Sequence, residues 1–264
     1  MNRFQFIAAF FLYVLMSGCY AKTDIKSYTQ WGITGGGKEN IHYSSINQID
    51  TNNVTDLKIA WIYNSEKKDT KRFGPMECNP IIIDSIMFGV SPKLKLFAIN
   101  ASTGKELWNF DPADSMANKT WHRSSVNMNR GVSYWAEGND KRIIYTVGPI
   151  ALEVNAANGK LISNFGLNGG INLANGLGRD SSKLFVTPEQ LYGIAASSDG
   201  KFRAINKRTG KILLEIDLPA PGVATPSVYE VNGKQFIVIA CGGSKWGGKS
   251  SDAYVALALQ DKQH

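Results

Sequence analysis

Few residues in this 264-residue chain stand where their type and spacing suggest chemistry. His42, His122 and His264 lie too far apart to form a metal-ligand pattern. No Cys-x-x-Cys-His run occurs, so the chain carries no c-type haem of its own. Of the three cysteines, Cys78 and Cys241 fit equally well as a disulfide in an oxidising compartment or as two separate buried thiols. Glu77 in MECNP and Arg130 in MNRGV are the isolated charges with the most interest. An arginine presents a fixed fork that pairs with carboxylates and stays charged. On local sequence alone both read as structural, Glu77 capping a strand and Arg130 bridging neighbouring sheets. Asp199 in SSDGKF reads as a hairpin turn residue rather than a base.

The elements that would position these residues repeat. Leu96 opens LFAINASTGKELW, Ala151 opens ALEVNAANGKLIS, and Phe202 opens FRAINKRTGKILL. Their turn glycines are Gly104, Gly159 and Gly210, and a repeat of roughly 50 residues made of strands and tight turns points to propeller blades. Asn or Asp with a following Thr-Gly or Asn-Gly makes each turn, because glycine tolerates positive φ. Alternating apolar residues on either side give half-buried strands. A first blade is expected from Asn79 to Phe110, with PIIIDSIMFGV as its inner hairpin, and a second from Arg130 to Phe165. A third covers Leu184 to Leu218, with LYGIAAS as its second strand. The fourth starts at Ala224, uses SVYEVNGKQFIVIAC as an Asn-Gly hairpin, and ends in AYVALAL without an outer strand. LKIAWIY, Leu57 to Tyr63, carries a tryptophan and can supply that strand from the N-terminal side. The expected fold is all-β: a propeller of about four blades, its last blade closed by an N-terminal strand.

Bulk composition agrees. The chain is 43% hydrophobic with 26 glycines, in short apolar runs that favour strands over helices. Its formal charge is +7, but the lysines are scattered, and the densest group, Lys67, Lys68, Lys71 and Arg72, sits beside Glu66 and Asp69. That pattern is a solvated surface and excludes a nucleic-acid partner as the working reading.

The first residues read as an address. MNRFQFIAAFFLYVLMSGC has a basic start at Arg3 and an apolar run from Phe6 to Met16, too short to span a membrane, which takes about 20 residues. Small residues directly before Cys19 resemble a bacterial lipoprotein processing site, although Met16 stands where leucine is more usual. The alternative is an ordinary secretory signal with a cysteine in passing. The expected organisation is a lipoprotein-type signal at 1–18, a lead-in at 19–56 and a partial propeller domain at 57–264. Lipidation of Cys19 would make an exported, membrane-anchored lipoprotein facing the periplasm.

The tryptophan-bearing turn AINASTGKELW resembles those of the pyrroloquinoline quinone (PQQ) dehydrogenases. WGITGGGKENIHYSSINQIDTNNVTDLKIAWIY is similar to their N-terminal lead-in, MECNPIII to the opening of their first blade, and MNRGVSYW to a signature early in their second. LPAPGVATPSVYEVNGKQFIVIACGG with DAYVALAL resembles the C-terminal end of the membrane-bound glucose and polyol dehydrogenase branch. The resemblance runs from Trp31 to Leu259. It implies a propeller of eight blades, of which this chain matches the first two and the last two; the break lies in GLNGGINLANGLGRDSSK, Gly166 to Lys183.

What the resemblance implies follows the same division. PQQ would lie in the central channel against calcium, with Glu77 and Arg130 as cofactor contacts and the Gly242-Gly243-Ser244 loop passing close, so that Gly243 joins the cofactor-binding set. Calcium polarises and a carboxylate base takes the alcohol proton as hydride moves to the quinone. The calcium ligands and the catalytic aspartate belong to the middle blades, so no metal ligand and no catalytic residue is assigned. Alcohol-oxidising relatives carry adjacent cysteines where Ser124-Ser125 stand, and the glucose branch a histidine where Val126 stands. The implied substrate is a sugar or polyol and the implied acceptor membrane quinone. Four blades allow a closed narrow ring, an open arc with two bare apolar faces, or a homodimer in which two chains form one ring. The alternative function is a non-catalytic propeller lipoprotein acting as an outer-membrane assembly scaffold.

Overall fold

The computed structural model describes residues 30–37, 40, 42–66, 76–115, 129–148, 150–172, 200–205, 212–222, 224–243 and 249–260. The sequence's signal segment, Cys19, the Gly210 turn, Asp199, the strand LYGIAAS and the Ser124–Val126 stretch lie outside these residues. Strand β1 (Leu57–Asn64) comes first. The first blade then forms as expected, as a four-stranded antiparallel sheet of β2 (Ile81–Ile83), β3 (Ile86–Val90), β4 (Leu96–Asn100) and β5 (Glu106–Phe110). A single helical turn, α1 (Pro112–Ser115), follows it.

The second blade holds β6 (Ser133–Glu137), β7 (Asp140–Val147) and β8 (Ile150–Asn155) where the sequence expects them. Its outer strand does not run through LIS to Phe165. Leu161 makes one bridge to Val154, and the edge resumes only at β9 (Gly170–Asn172), which pairs with Ile150–Leu152. Gly166, Asn168 and Gly169 all adopt positive φ, and Leu167 and Gly170 exchange backbone hydrogen bonds. This turn chemistry breaks the strand that the tooth pattern would continue. Among the described residues the strands of this blade run to Asn172.

The described part of the third blade is a hairpin of β10 (Lys201–Ile205) and β11 (Ile212–Asp217). The last blade joins β12 (Ser227–Val231), β13 (Lys234–Gly243) and β14 (Ser250–Leu259), with β1 as its outer strand in antiparallel register, Leu57 opposite Leu259 and Asn64 opposite Ala253. The β12–β13 turn has positive φ at both Asn232 and Gly233, the geometry of a type I′ hairpin. Asp252 secures the lock: its carboxylate accepts from Asn64 Nδ2 at 2.9 Å and from the Glu66 N–H at 2.7 Å. Ahead of β1, Gln48 and Gln235 clasp the lead-in to the last hairpin, the Gln235 N–H donating to Gln48 Oε1 and the Ile49 N–H to Gln235 Oε1.

Neighbouring blades share a core because the inner strands are apolar on both faces. Along β13 and β14, Val238, Ala240, Tyr254 and Ala256 join the main core with the first blade, whereas Ile239, Cys241, Ala253 and Val255 pack with Leu218 and Phe202 on the third-blade side. Two seams are keyed by tryptophan. Trp61 Nε1 donates to the Ala101 carbonyl at 3.2 Å, and a Cβ on Gly104 would meet its ring at 2.8 Å. Trp108 repeats this at the next seam, donating to the Ala156 carbonyl at 3.1 Å beside Gly159. In the second tooth the matching position, four residues after the turn glycine, is Ser163, so that blade offers no such key.

Two sheet faces among the described residues carry charge pairs, unlike the bare apolar faces of the open-arc alternative. On the side of the second blade turned from the first, Arg142 pairs with Glu153 at 2.6 Å and lies 5.3 Å from the Trp135 ring. On the third-blade hairpin, Lys201 pairs with Glu215, and Arg203 reaches the same carboxylate at 2.9 Å. Cross-strand charge pairs of this kind keep a sheet face solvated; Trp135 and Ile171 are the exposed large apolar side chains of the second sheet.

Both Cys78 and Cys241 are free and buried. Burial pushes the Cys78 thiol up to about 11 and Cys241 up to about 12. The thiolate is the nucleophile, so iodoacetamide at pH 8 should leave both unlabelled in the folded chain and label both in denaturant, read by peptide mapping. A folded pKa above the unfolded value of roughly 8.5 gives stability that is complete below that pH. It is lost as pH rises through 11 and 12, so the denaturant midpoint should fall steadily above pH 9 or so. A midpoint flat to pH 11 contradicts this.

Candidate functional site

Of the residues singled out from sequence, Glu77 and Arg130 meet where the first and second blades begin, and Gly243 lies at the end of β13 in the last blade. Glu77 and Arg130 precede the first strands of the first and second blades, and these segments meet through a parallel bridge between Asn79 and Gly131. The Asn79 N–H donates to the Arg130 carbonyl at 2.8 Å. The two charges face each other, Arg130 Nε lying 3.3 Å from Glu77 Oε2. Arg130 keeps about a third of its side chain in solvent, Glu77 about a tenth.

The end of β13 closes the third side. A Cβ on Gly242 would lie closer than 3.0 Å to the Met76 backbone, so only glycine lets the last blade approach the residue before Glu77 this tightly. Gly243 has φ 103° and donates its N–H to the Pro221 carbonyl at 3.0 Å. The end of β13 thus packs against the residue that precedes Glu77.

Two residues that braced this site were not read from sequence. Asn129 is buried; its Oδ1 accepts the Gly131 N–H at 2.9 Å and its Nδ2 donates to the Thr146 carbonyl at 3.1 Å. The Asn-x-Gly spacing of N-R-G is the signal for such an Asx turn, and it fixes the arginine between its two anchors. Asn79 has no comparable local signal. The lead-in also reaches the site, for a Cβ on Gly131 would sit 2.8 Å from Thr34 Oγ1, and Trp31 is wholly buried nearby with its carbonyl accepting from the Ile82 N–H.

Chemically, the arrangement offers a guanidinium held on one side by a carboxylate. Its buried Nε has no hydrogen-bond partner, so the interaction with Glu77 is an ion pair and not a closed hydrogen-bonded fork. Such a group can take an anionic oxygen through its remaining donors. Among the described residues no cluster of three or more His, Cys, Asp or Glu is placed to hold a metal ion.

Comparisons with known proteins now bear on the fold and the site. The profile described as PQQ glucose/ethanol/alcohol dehydrogenase, β-propeller domain, matches in two pieces, residues 31–189 and 180–237. The chain is 27% identical over 227 residues to the quinoprotein glucose dehydrogenase of Escherichia coli (strain K12), covering 75% of this chain and 28% of that protein. It is 33% identical over 132 residues to the dehydrogenase subunit of the alcohol dehydrogenase (quinone) of Gluconobacter oxydans (strain 621H), covering 50% of this chain and 16% of that one. Among solved structures, quinohemoprotein alcohol dehydrogenase from Comamonas testosteroni superposes with a TM-score of 0.48 at 19% identity, over 83% of this chain and 36% of that chain. The chain spans less than a third of the length of these two sequence relatives. With the profile matched across most of its length, this chain belongs to the PQQ glucose/ethanol/alcohol dehydrogenase β-propeller family.

Proposed function

We propose that the chain is a PQQ-binding quinoprotein dehydrogenase-like protein, whose family chemistry is oxidation of a sugar or polyol hydroxyl with electrons passed to membrane quinone. The observation that carries the reading is the Glu77–Arg130 pair, with Gly242 at the end of β13 packed against Met76 beside Glu77. PQQ is a planar quinone bearing carboxylates, and its chemistry when bound is to accept hydride from an alcohol carbon. The residues present suit such a group: Arg130 supplies a cation about a third exposed, with donors beyond the Nε that pairs with Glu77, and Glu77 fixes its direction. Calcium finds no matching ligand cluster among the described residues.

The division of the profile match into two pieces, which overlap at 180–189, supports reading the chain as the first two and last two blades of a longer ring. On that reading the catalytic carboxylate lies in the missing middle, and the chain alone is inactive or nearly so. Two copies closing one ring through two-fold symmetry would restore the number of blades. Anchoring through a lipid on Cys19 would place the protein on the periplasmic face of a membrane; labelled palmitate incorporated by the wild type and absent in Cys19→Ser checks this.

The deciding experiment is a PQQ titration of the protein with and without calcium, with its mass in solution recorded alongside. Saturable binding is expected, weakened roughly 10- to 100-fold in Arg130→Ala, the range for a hydrogen-bonded charge. A folded chain that binds no PQQ overturns the reading, and PQQ-dependent dye reduction by the purified chain overturns the inactivity.

A further inference from the structure

We propose that Asn79 is the positioning residue of this site: its buried amide joins the lead-in, the first blade and the last blade, and its backbone holds the Arg130 segment. This rests on the cofactor-binding reading above. Asn79 is 4% exposed. Its Oδ1 accepts the Trp31 indole N–H at 3.1 Å and lies 3.4 Å from Ser227 Oγ, while its Nδ2 donates to the Thr225 carbonyl at 2.5 Å. Ser227 Oγ in turn donates to the Pro80 carbonyl at 2.9 Å. The Asn79 N–H is the one that meets the Arg130 carbonyl, next to the Asn79–Gly131 bridge.

The chemistry explains why an amide is needed. At this point one side chain must accept from an indole and donate to a carbonyl at once. Asparagine does both; aspartate only accepts, and alanine leaves a buried donor and a buried acceptor unmatched. None of the side-chain bonds reaches Arg130 or Glu77 directly. What the amide fixes is where residue 79 sits relative to Trp31 and Thr225. That fixes where the Arg130 backbone hangs, and Glu77 is two residues away on the same segment. The guanidinium and carboxylate then meet without either being held by its own rotamer alone.

The test compares wild type with Asn79→Ala, Asn79→Asp and the milder Asn79→Ser, using hydrogen exchange of the folded protein and PQQ titration of the same samples. In Asn79→Ala, exchange in residues 76–83 and 129–134 should rise about tenfold or more while Ile143–Val154 keeps its protection. PQQ affinity should fall about tenfold. On an Arg130→Ala background the same change should add less than about twofold, because its effect runs through Arg130. Asn79→Ser, which keeps one hydroxyl as donor and acceptor, should lie between. Exchange that rises uniformly through the second blade, unchanged affinity in a wild type that binds, or full additivity on the Arg130→Ala background each overturn the proposal. A wild type that binds no PQQ sinks the cofactor reading instead; the exchange pattern then decides alone, a local rise upholding Asn79 as the positioning residue and a uniform one removing it.

Discussion

Trp61→Ala is expected to lower stability by about 3–5 kcal/mol, the range for truncating a large buried aromatic, and the melting temperature by roughly 10 °C. Trp61 is 8% exposed, and its ring fills the space above Gly104 in the next blade. The truncation opens a cavity at the seam and strips one of the two donors from the Ala101 carbonyl, which also accepts from Tyr229 Oη at 2.7 Å. The same seam can be attacked from the other side. Gly104 has φ +71° and its Cβ would meet the indole at 2.8 Å, so Gly104→Ala combines left-handed strain of about 1–2 kcal/mol with overpacking. The double variant should then cost less than the sum, because removing the ring relieves the clash. Trp135→Ala is the control: this ring is exposed and lies against Arg142, so its loss should stay within about 1 kcal/mol. Denaturant melts of the four variants decide it. A Trp61→Ala no weaker than Trp135→Ala would mean the seam is not keyed by the indole.

How far the sequence carries depends on the range of the interaction. The hairpins at Asn100–Gly104 and Asn232–Gly233 are local, set by residues whose φ preferences are written in the turn itself, and they form as read. The lock strand was legible because AYVALAL lacked an outer partner and LKIAWIY lacked a sheet. The second blade went astray at Ser163, where the tooth pattern continues but the Gly166–Gly169 turn intervenes. Local pattern and turn chemistry disagreed, and the turn won. Glu77 and Arg130 were flagged through motif resemblance; their mutual pairing was not, since it spans two blades. Asn79 was invisible because its partners, Trp31, Thr225 and the Arg130 backbone, are all distant in sequence. The charge pair across β7 and β8 was also missed, because Arg142 and Glu153 become neighbours only once the register is fixed.

Gly242→Ala should disable the site more thoroughly than removal of either charged side chain. Gly242 has no positive φ, so its backbone suits any residue; what it lacks is room, since a Cβ there would overlap both the backbone N and the Cβ of Met76. Met76 is buried and adjoins Glu77, so the strain cannot be relieved by swinging a flexible side chain outward. The segment itself must move, carrying Glu77 away from Arg130. Overpacking of this kind costs about 1–3 kcal/mol, and PQQ binding should weaken by more than about 100-fold. The comparison that separates site from stability is Gly233→Ala. Gly233 has φ +72° with nothing near its would-be Cβ, so alanine there adds strain of about 1–2 kcal/mol at a hairpin tip remote from Glu77. Two variants of similar stability should therefore differ sharply in cofactor affinity. Equal affinities would show that the approach of the last blade to Met76 serves packing only, and that Glu77 and Arg130 bind, if they bind, without it.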